Sequence, residues 1–211
     1  MSRLLRVPLF PLAGAILFPR AQLPLHIFEN RYREMVSDAI EGPGRIAMIQ
    51  PSRLDDEADP PLYETGCVGE IVGVEELDDG RFNIVLLGTN RFRLVREAEI
   101  DASYRCGEID IEAFDDSEPP ALSLGQRAEV ERESRRLGDA MNLVIDWAAV
   151  SRLDDETLVN AIAQVAPFDY GAKQALLEEP TLTSRADLLV QLMQFQRIAM
   201  TGGVEVEPTL Q

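Results

Sequence analysis

The sequence predicts an α+β protein: a compact, antiparallel β-barrel with one inserted helix, followed by a C-terminal α-helical lobe. Three observations carry this expectation. Strand-like runs crowd residues 1–113, whereas helix-period stripes fill the chain after 124. Glycines interrupt the strands at 66, 69, 73 and 88, where closing a small barrel requires bulges or bends. Between the halves, FDDSEPPALS (114–123) breaks both patterns with acids, serines and Pro119-Pro120. The expected division is 1–117 for the β lobe, 118–203 for the helical lobe and 204–211 (VEVEPTLQ) for a loose tail.

Taken in order, RLLRVPLF (3–10), GAILF (14–18) and QLPLHIF (22–28) read as short strands. Pro8 and Pro24 cannot donate to a ladder, which places these strands at edges or bulges. In ENRYREMVSDAIEG the apolar positions Tyr32, Met35, Val36, Ala39 and Ile40 form one stripe of an amphipathic helix, ended by Gly42-Pro43-Gly44. RIAMIQ (45–50) is a buried-type strand, and the proline- and acid-rich stretch 51–64 is a loop. Residues 65–77 and 81–87 are strands joined by Asp78-Asp79-Gly80, a strong hairpin signal. Residues 90–100 and 104–113 continue the β pattern with one wet face.

Beyond the boundary, Val130, Leu137, Met141 and Val144 lie along one side of a long helix over 124–149. Asp154-Asp155-Glu156 opens a second helix at 154–166, ahead of Pro167. Asp169 caps a third over 170–178, and Ser184 with Asp187 has capping-box spacing for a fourth over 185–201. The stripe of that last helix is Leu188, Leu189, Leu192, Met193 and Phe195.

Composition narrows the function classes. The chain has 211 residues, enough to bury a core unaided, and a net charge of −17. Residues 1–51 carry a net +2 and the remainder −19. Such a surface repels phosphate backbones and anionic membranes, so nucleic acid is disfavoured as a partner and no membrane partner is expected. The apolar start is broken by Pro8, Pro11 and Pro19 and reads as mature structure rather than a leader. The expected address is cytoplasmic, with Cys67 and Cys106 reduced.

Catalytic apparatus is scarce. The single histidine, His26, sits in an extended apolar run and reads as a hydrogen-bonded structural residue. Cys67 and Cys106 read as small packed residues, although a minor hydrolase reading with Cys67 or His26 stays open. No CxxC pair, phosphate loop, GxSxG elbow or SxxK motif occurs. The acid clusters at 55–59, 115–118 and 154–156 do not follow a calcium-loop pattern. No metal and no cofactor is expected.

Two blocks carry a family resemblance. VPLFPLAGAILFP followed by LPLHIFENRYREMV, and later GCVGEIVGVEELDDGRFNIVLLGTNRFRLV, resemble the two signatures of the Lon protease N-terminal (substrate-binding) domain family. A related domain occurs in cereblon. The resemblance runs over roughly residues 3–200 and implies a PUA-like β-barrel before the helical lobe. In full-length Lon proteases this region helps to recognise unfolded or tagged polypeptide, while ATPase and serine–lysine protease domains follow it. Neither a phosphate loop nor such a dyad is present in the 211 residues. The resemblance therefore implies a stand-alone, non-enzymatic module of protein quality control that binds unfolded or extended polypeptide, with a separate ATPase or protease as a further partner. Proline-bearing strands can leave open edges, and a groove between lobes would hold an extended peptide. Candidate groove residues are Pro19, Leu23, Leu25, Ile27, Phe28 and Tyr32, with membership of the core as the alternative for each. A second reading, RNA binding by a PUA-like barrel, would rest on Arg81, Arg91, Arg93 and Arg96, against the acidic balance. The oligomeric state stays open.

Overall fold

A computed structural model describes residues 4–53 and 59–201. The tail 204–211 and the centre of the 51–64 loop lie outside the described residues. By internal contacts the chain forms two units: one from Met1–Pro119 with Asp169–Pro180, the other from Pro120–Phe168 with Thr181–Gln211.

The first unit is built on a six-stranded sheet. Its strands are β1 (Leu4–Pro11), β2 (Gln22–Ile27), β3 (Arg45–Pro51), β4 (Leu62–Glu76), β5 (Phe82–Ala98) and β6 (Arg105–Asp110). The order is β2-β5-β4-β3-β1-β6, and β6 pairs again with β5. The pairing of β5, β4, β3, β1 and β6 thus returns to its start, and β2 hangs on β5 alone. All pairs are antiparallel except β1 with β3, which departs from the antiparallel expectation. The parallel pair follows from the long excursion between those strands, through β2 and the helix α1 (Asn30–Glu41), which is far more than a hairpin turn.

Two cores result from the alternation of side chains. Val7 and Leu9 of β1, Ala47 and Ile49 of β3, Val68 of β4, Phe92 of β5 and Ile109 of β6 form one cluster, to which each of the five ring strands contributes. The opposite face carries the other: Ile46, Met48, Cys67, Ile84 and Leu86 pack with Ile27 of β2 and with Tyr32, Met35, Val36 and Ala39 of α1. Four of the five stripe positions legible in the sequence thus seal this second core, while the fifth, Ile40, is exposed. Gly44 ends α1 in the left-handed region (φ 70°), donating its N–H to Ala39 O at 2.8 Å.

Several sequence expectations are corrected. Residues 14–18 form no strand. Ile16, Leu17 and Phe18 are buried in irregular chain whose continuation is tied to β5, with Arg20 N donating to Gly88 O at 2.8 Å. A Cβ at Gly88 would collide with the Phe18 carbonyl, so only glycine admits this approach. The two strands expected at 81–87 and 90–100 are one continuous β5, long enough to pair β2 and β6 at different points along its length. The strand glycines do sit at irregularities: register shifts fall between Cys67 and Gly69 and between Ile71 and Gly73. The β4–β5 turn lies where Asp79-Gly80 placed it, with Gly80 at φ 75°.

The helices are α2 (Leu124–Ala140), α3 (Trp147–Val150), α4 (Asp155–Val165), α5 (Tyr170–Glu178) and α6 (Leu182–Thr201). The expected long helix stops early. Asn142 takes φ 55°, its N–H donates to Asp139 O, and Leu143 N donates to Gly138 O, the two bonds of a Schellman ending. Val144, expected on the buried stripe, is fully exposed. α6 begins earlier than expected, because Thr181 rather than Ser184 caps it: Thr181 Oγ1 accepts from Ser184 N at 3.1 Å. Asp187 instead accepts from Gln126 Nε2 of α2 at 3.1 Å. The α5 segment, read from sequence as part of the helical stretch, belongs with the sheet unit.

Within the second unit, α2 and α4 pack on α6. Its buried charge is locally matched. Glu133 accepts from Arg136 Nη1 at 2.7 Å, and Arg127 pairs with both Glu131 and Asp155.

Candidate functional site

β2 alternates strictly: Leu23, Leu25 and Ile27 point to the α1-side core, and Gln22, Pro24 and His26 point away from it. That outward face continues across the neighbouring strands in register. Pro24 stands opposite Val85, and Val85 opposite Gly73. His26 stands opposite Asn83, and Asn83 opposite Glu75. Because Gly73 contributes no side chain to its row, a shallow depression of about 500 Å³ forms, lined by Pro24, Val85, Glu75 and their neighbours.

One wall of the depression is a directed hydrogen-bond chain. Arg81 Nη1 lies 3.2 Å from His26 Nε2, and a guanidinium can only donate, so Nε2 accepts. The imidazole proton is then on Nδ1, which donates to Asn83 Oδ1 at 2.7 Å. The Asn83 amide is thereby oriented to donate from Nδ2 to Glu75 Oε2, also at 2.7 Å. Arg81 itself pairs with Asp79 at 2.7 Å. His26 thus holds a surface row in place. Cys67 and Cys106 are buried free thiols.

The groove candidates divide. Ile27 and Tyr32 are core, Pro19 is buried, Leu23 and Leu25 are half-buried against the core, and Phe28 is 62 % exposed. Burial raises the Tyr32 hydroxyl above its usual range. Leu25 alone among the six also borders the depression. The arginines divide too. Arg91 is 2 % exposed and lies in a buried pair with Asp116 at 2.8 Å, so it is no surface contact. Arg96 is held by Glu108 and Arg81 by Asp79, while Arg93 is exposed and has no ion pair among the described residues.

Sequence reasoning missed a polar group that anchors α5 on the sheet. Gln50 Nε2 donates to Gln174 Oε1 at 3.0 Å, Gln174 Nε2 donates to Thr65 O at 3.1 Å, and Gln50 Oε1 accepts from Gly14 N at 2.8 Å. Lys173 donates to Gly14 O at 2.9 Å, and its burial lowers its pKa. Arg91 completes the anchor by donating to the carbonyls of Leu177 and Glu179 at the end of α5. No local pattern announces partners more than 80 residues away.

Among the described residues no group of three or more His, Cys, Asp or Glu side chains is arranged to hold a metal ion. The acids at 154–156 serve the helix start, with Asp154 accepting from Thr157 N at 2.8 Å and Asp155 paired to Arg127. The hydrogen bonds to Asp154, chiefly from Thr157, lower its pKa. No helix among the described residues is long and apolar enough to cross a membrane.

Similar curated proteins include Lon protease 2 of Myxococcus xanthus, 26% identical over 204 residues, covering 90% of this chain and 24% of that protein. Lon protease 2 of Sorangium cellulosum is 28% identical over 199 residues, with 89% and 24% coverage. The chain spans about a quarter of the length of these relatives. Among solved structures, the N-terminal domain of a Mycobacterium avium complex Lon protease superposes with TM-score 0.64 at 17% identity, covering 90% of this chain and 98% of that one. A Lon N-terminal domain protein from Xanthomonas campestris superposes with TM-score 0.65 at 22% identity, covering 89% and 98%. At these identities the superpositions establish the fold, a mixed α+β architecture with a six-stranded sheet and several helices. The family model for the ATP-dependent protease La (LON) substrate-binding domain matches residues 6–194, and the chain belongs to that family.

Proposed function

We propose that this chain is a polypeptide-binding module that captures unfolded or tagged protein and performs no ATPase or protease chemistry itself. The observation that carries the reading is the substrate-binding family match over residues 6–194. Its setting is protein quality control in the cytoplasm, acting alone or delivering substrate to a separate ATPase or protease. The circular pairing of β5, β4, β3, β1 and β6 supports reading the sheet as a PUA-like barrel. Phe28, Leu23 and Leu25 are the groove candidates with surface to offer a ligand.

The test is binding of a reduced, carboxymethylated protein by fluorescence anisotropy, set beside the native form of the same protein. Selective binding of the unfolded form supports the reading; equal or absent binding removes it. RNA binding is the second reading. Arg93, the one of the four arginines that is exposed with no ion pair among the described residues, is what favours it, and the net charge of −17 opposes it. A structured RNA should show no affinity that falls steeply with salt, the mark of phosphate contacts.

A further inference from the structure

The depression across β2, β5 and β4 joins an apolar floor to an acidic rim. Pro24 and Val85 supply side-chain surface, and the missing side chain at Gly73 gives the hollow its depth. Glu75 stands at one wall with a single oxygen engaged, by Asn83 at 2.7 Å. It has no ion-pair partner among the described residues. The nearest guanidinium on that hairpin, Arg81, is already committed to Asp79 and His26. The one carboxylate that lines the hollow, Glu75, therefore faces it without a counter-charge among the described residues.

Strand addition is not how this surface engages a ligand. β2 presents the free edge of the sheet, but Pro24 at its centre lacks the N–H that a docking strand would need there. A second copy of the chain would bring the same acids to the contact. The complementary ligand is a long aliphatic side chain ending in a cation. Its methylene stem covers apolar surface while its head remains at the carboxylate.

We propose that this hollow binds a lysine or arginine side chain of an extended polypeptide, with the stem on Pro24 and Val85 and the cation at Glu75. The inference rests on the polypeptide-binding reading and adds a preference to it: segments in which basic and apolar residues adjoin. The Arg81–His26–Asn83 chain is the positioning device, since it fixes the amide that orients Glu75.

The test uses the full chain with two labelled, unstructured peptides, one alternating leucine and lysine, the other leucine and glutamate, beside a carboxymethylated protein as a general unfolded ligand. The leucine–lysine peptide should bind at least about 10-fold more tightly than the leucine–glutamate peptide, as expected when opposite and like charges are exchanged at a site. Glu75→Gln should weaken it by about 3- to 5-fold, the scale of one exposed ion pair. Val85→Thr should weaken it as well. Glu112→Gln, which changes net charge equally at another exposed position, should leave it unchanged. Backbone amide resonances of Gly73, Asn83 and Val85 should shift on titration. Equal binding of both peptides, or equal loss in Glu75→Gln and Glu112→Gln, overturns the site while carboxymethylated protein still binds and the wider reading stands. If neither peptide nor unfolded protein binds, both fall.

Discussion

Arg91 spends its hydrogen bonds inside the protein. Its Nε meets Asp116 at 2.8 Å, and its terminal nitrogens meet carbonyls at the end of α5. Both partners of the pair are nearly inaccessible, so removing one strands the other in a low-dielectric site. Arg91→Met should cost about 3–5 kcal/mol in urea unfolding, and Arg91→Met with Asp116→Leu should recover part of that loss. Tyr104 offers a titration test. Its hydroxyl donates to Asp38 Oδ2 at 2.8 Å, and burial first, then that bond, raise its pKa from 10.0 to about 12. The folded state holds this proton more tightly than the unfolded chain. The resulting stabilisation is whole below pH about 10 and is lost as pH rises through about 12. The urea midpoint should fall across that window in the wild type, and Tyr104→Phe should remove that component. The sequence exposed neither role. Arg91 sits in a row of arginines that look alike on paper, and burial alone distinguishes it from the exposed Arg93 two positions on.

At the scale of elements, periodicity was a good guide where one face of one segment met one core. The α1 stripe, the caps at Asp154 and Asp169 and the Asp79-Gly80 turn are all where local chemistry puts them. It misled where an apolar run is buried without being regular, as in 16–18, and where a single asparagine stops a helix, as at Asn142. α6 shows a further limit. Leu189 and Met193 of its expected stripe are buried, but Phe195 is 70 % exposed, so the apolar residues cover more of the helix than its packing uses. Among the described strands β2 pairs with β5 alone, and its proline guards the edge left open. Pro24→Val should restore a donor there and promote edge-to-edge pairing, seen as concentration-dependent self-association in sedimentation velocity; an unchanged monomer–oligomer distribution would show that the edge needs no guard.

For the whole molecule, the units are not consecutive in the chain. A sequence boundary near 118 separates strands from helices, yet Asp169–Pro180 belongs with the sheet. A fragment of residues 1–119 would retain every strand but lose Gln174 and the carbonyls that receive Arg91, leaving Gln50 Nε2 and Nη1 of a buried guanidinium without those acceptors. It should unfold at lower urea than the same unit in the full chain, and addition of an α5 peptide should shift its midpoint upward. The helix most needed to complete the sheet unit is thus encoded beyond three helices of the other unit, an arrangement that local patterns do not reveal.

The last strand to be synthesised has a double task. Asp110 at the end of β6 is paired with Leu4 on one side and with Arg93 on the other. Until the ribosome has released that stretch, the nascent chain holds leucine-rich β1 and the distal half of β5 as two unprotected flanks. Arrival of six residues removes both at once, so a stall in translation just before them would leave the polypeptide at its most adhesive.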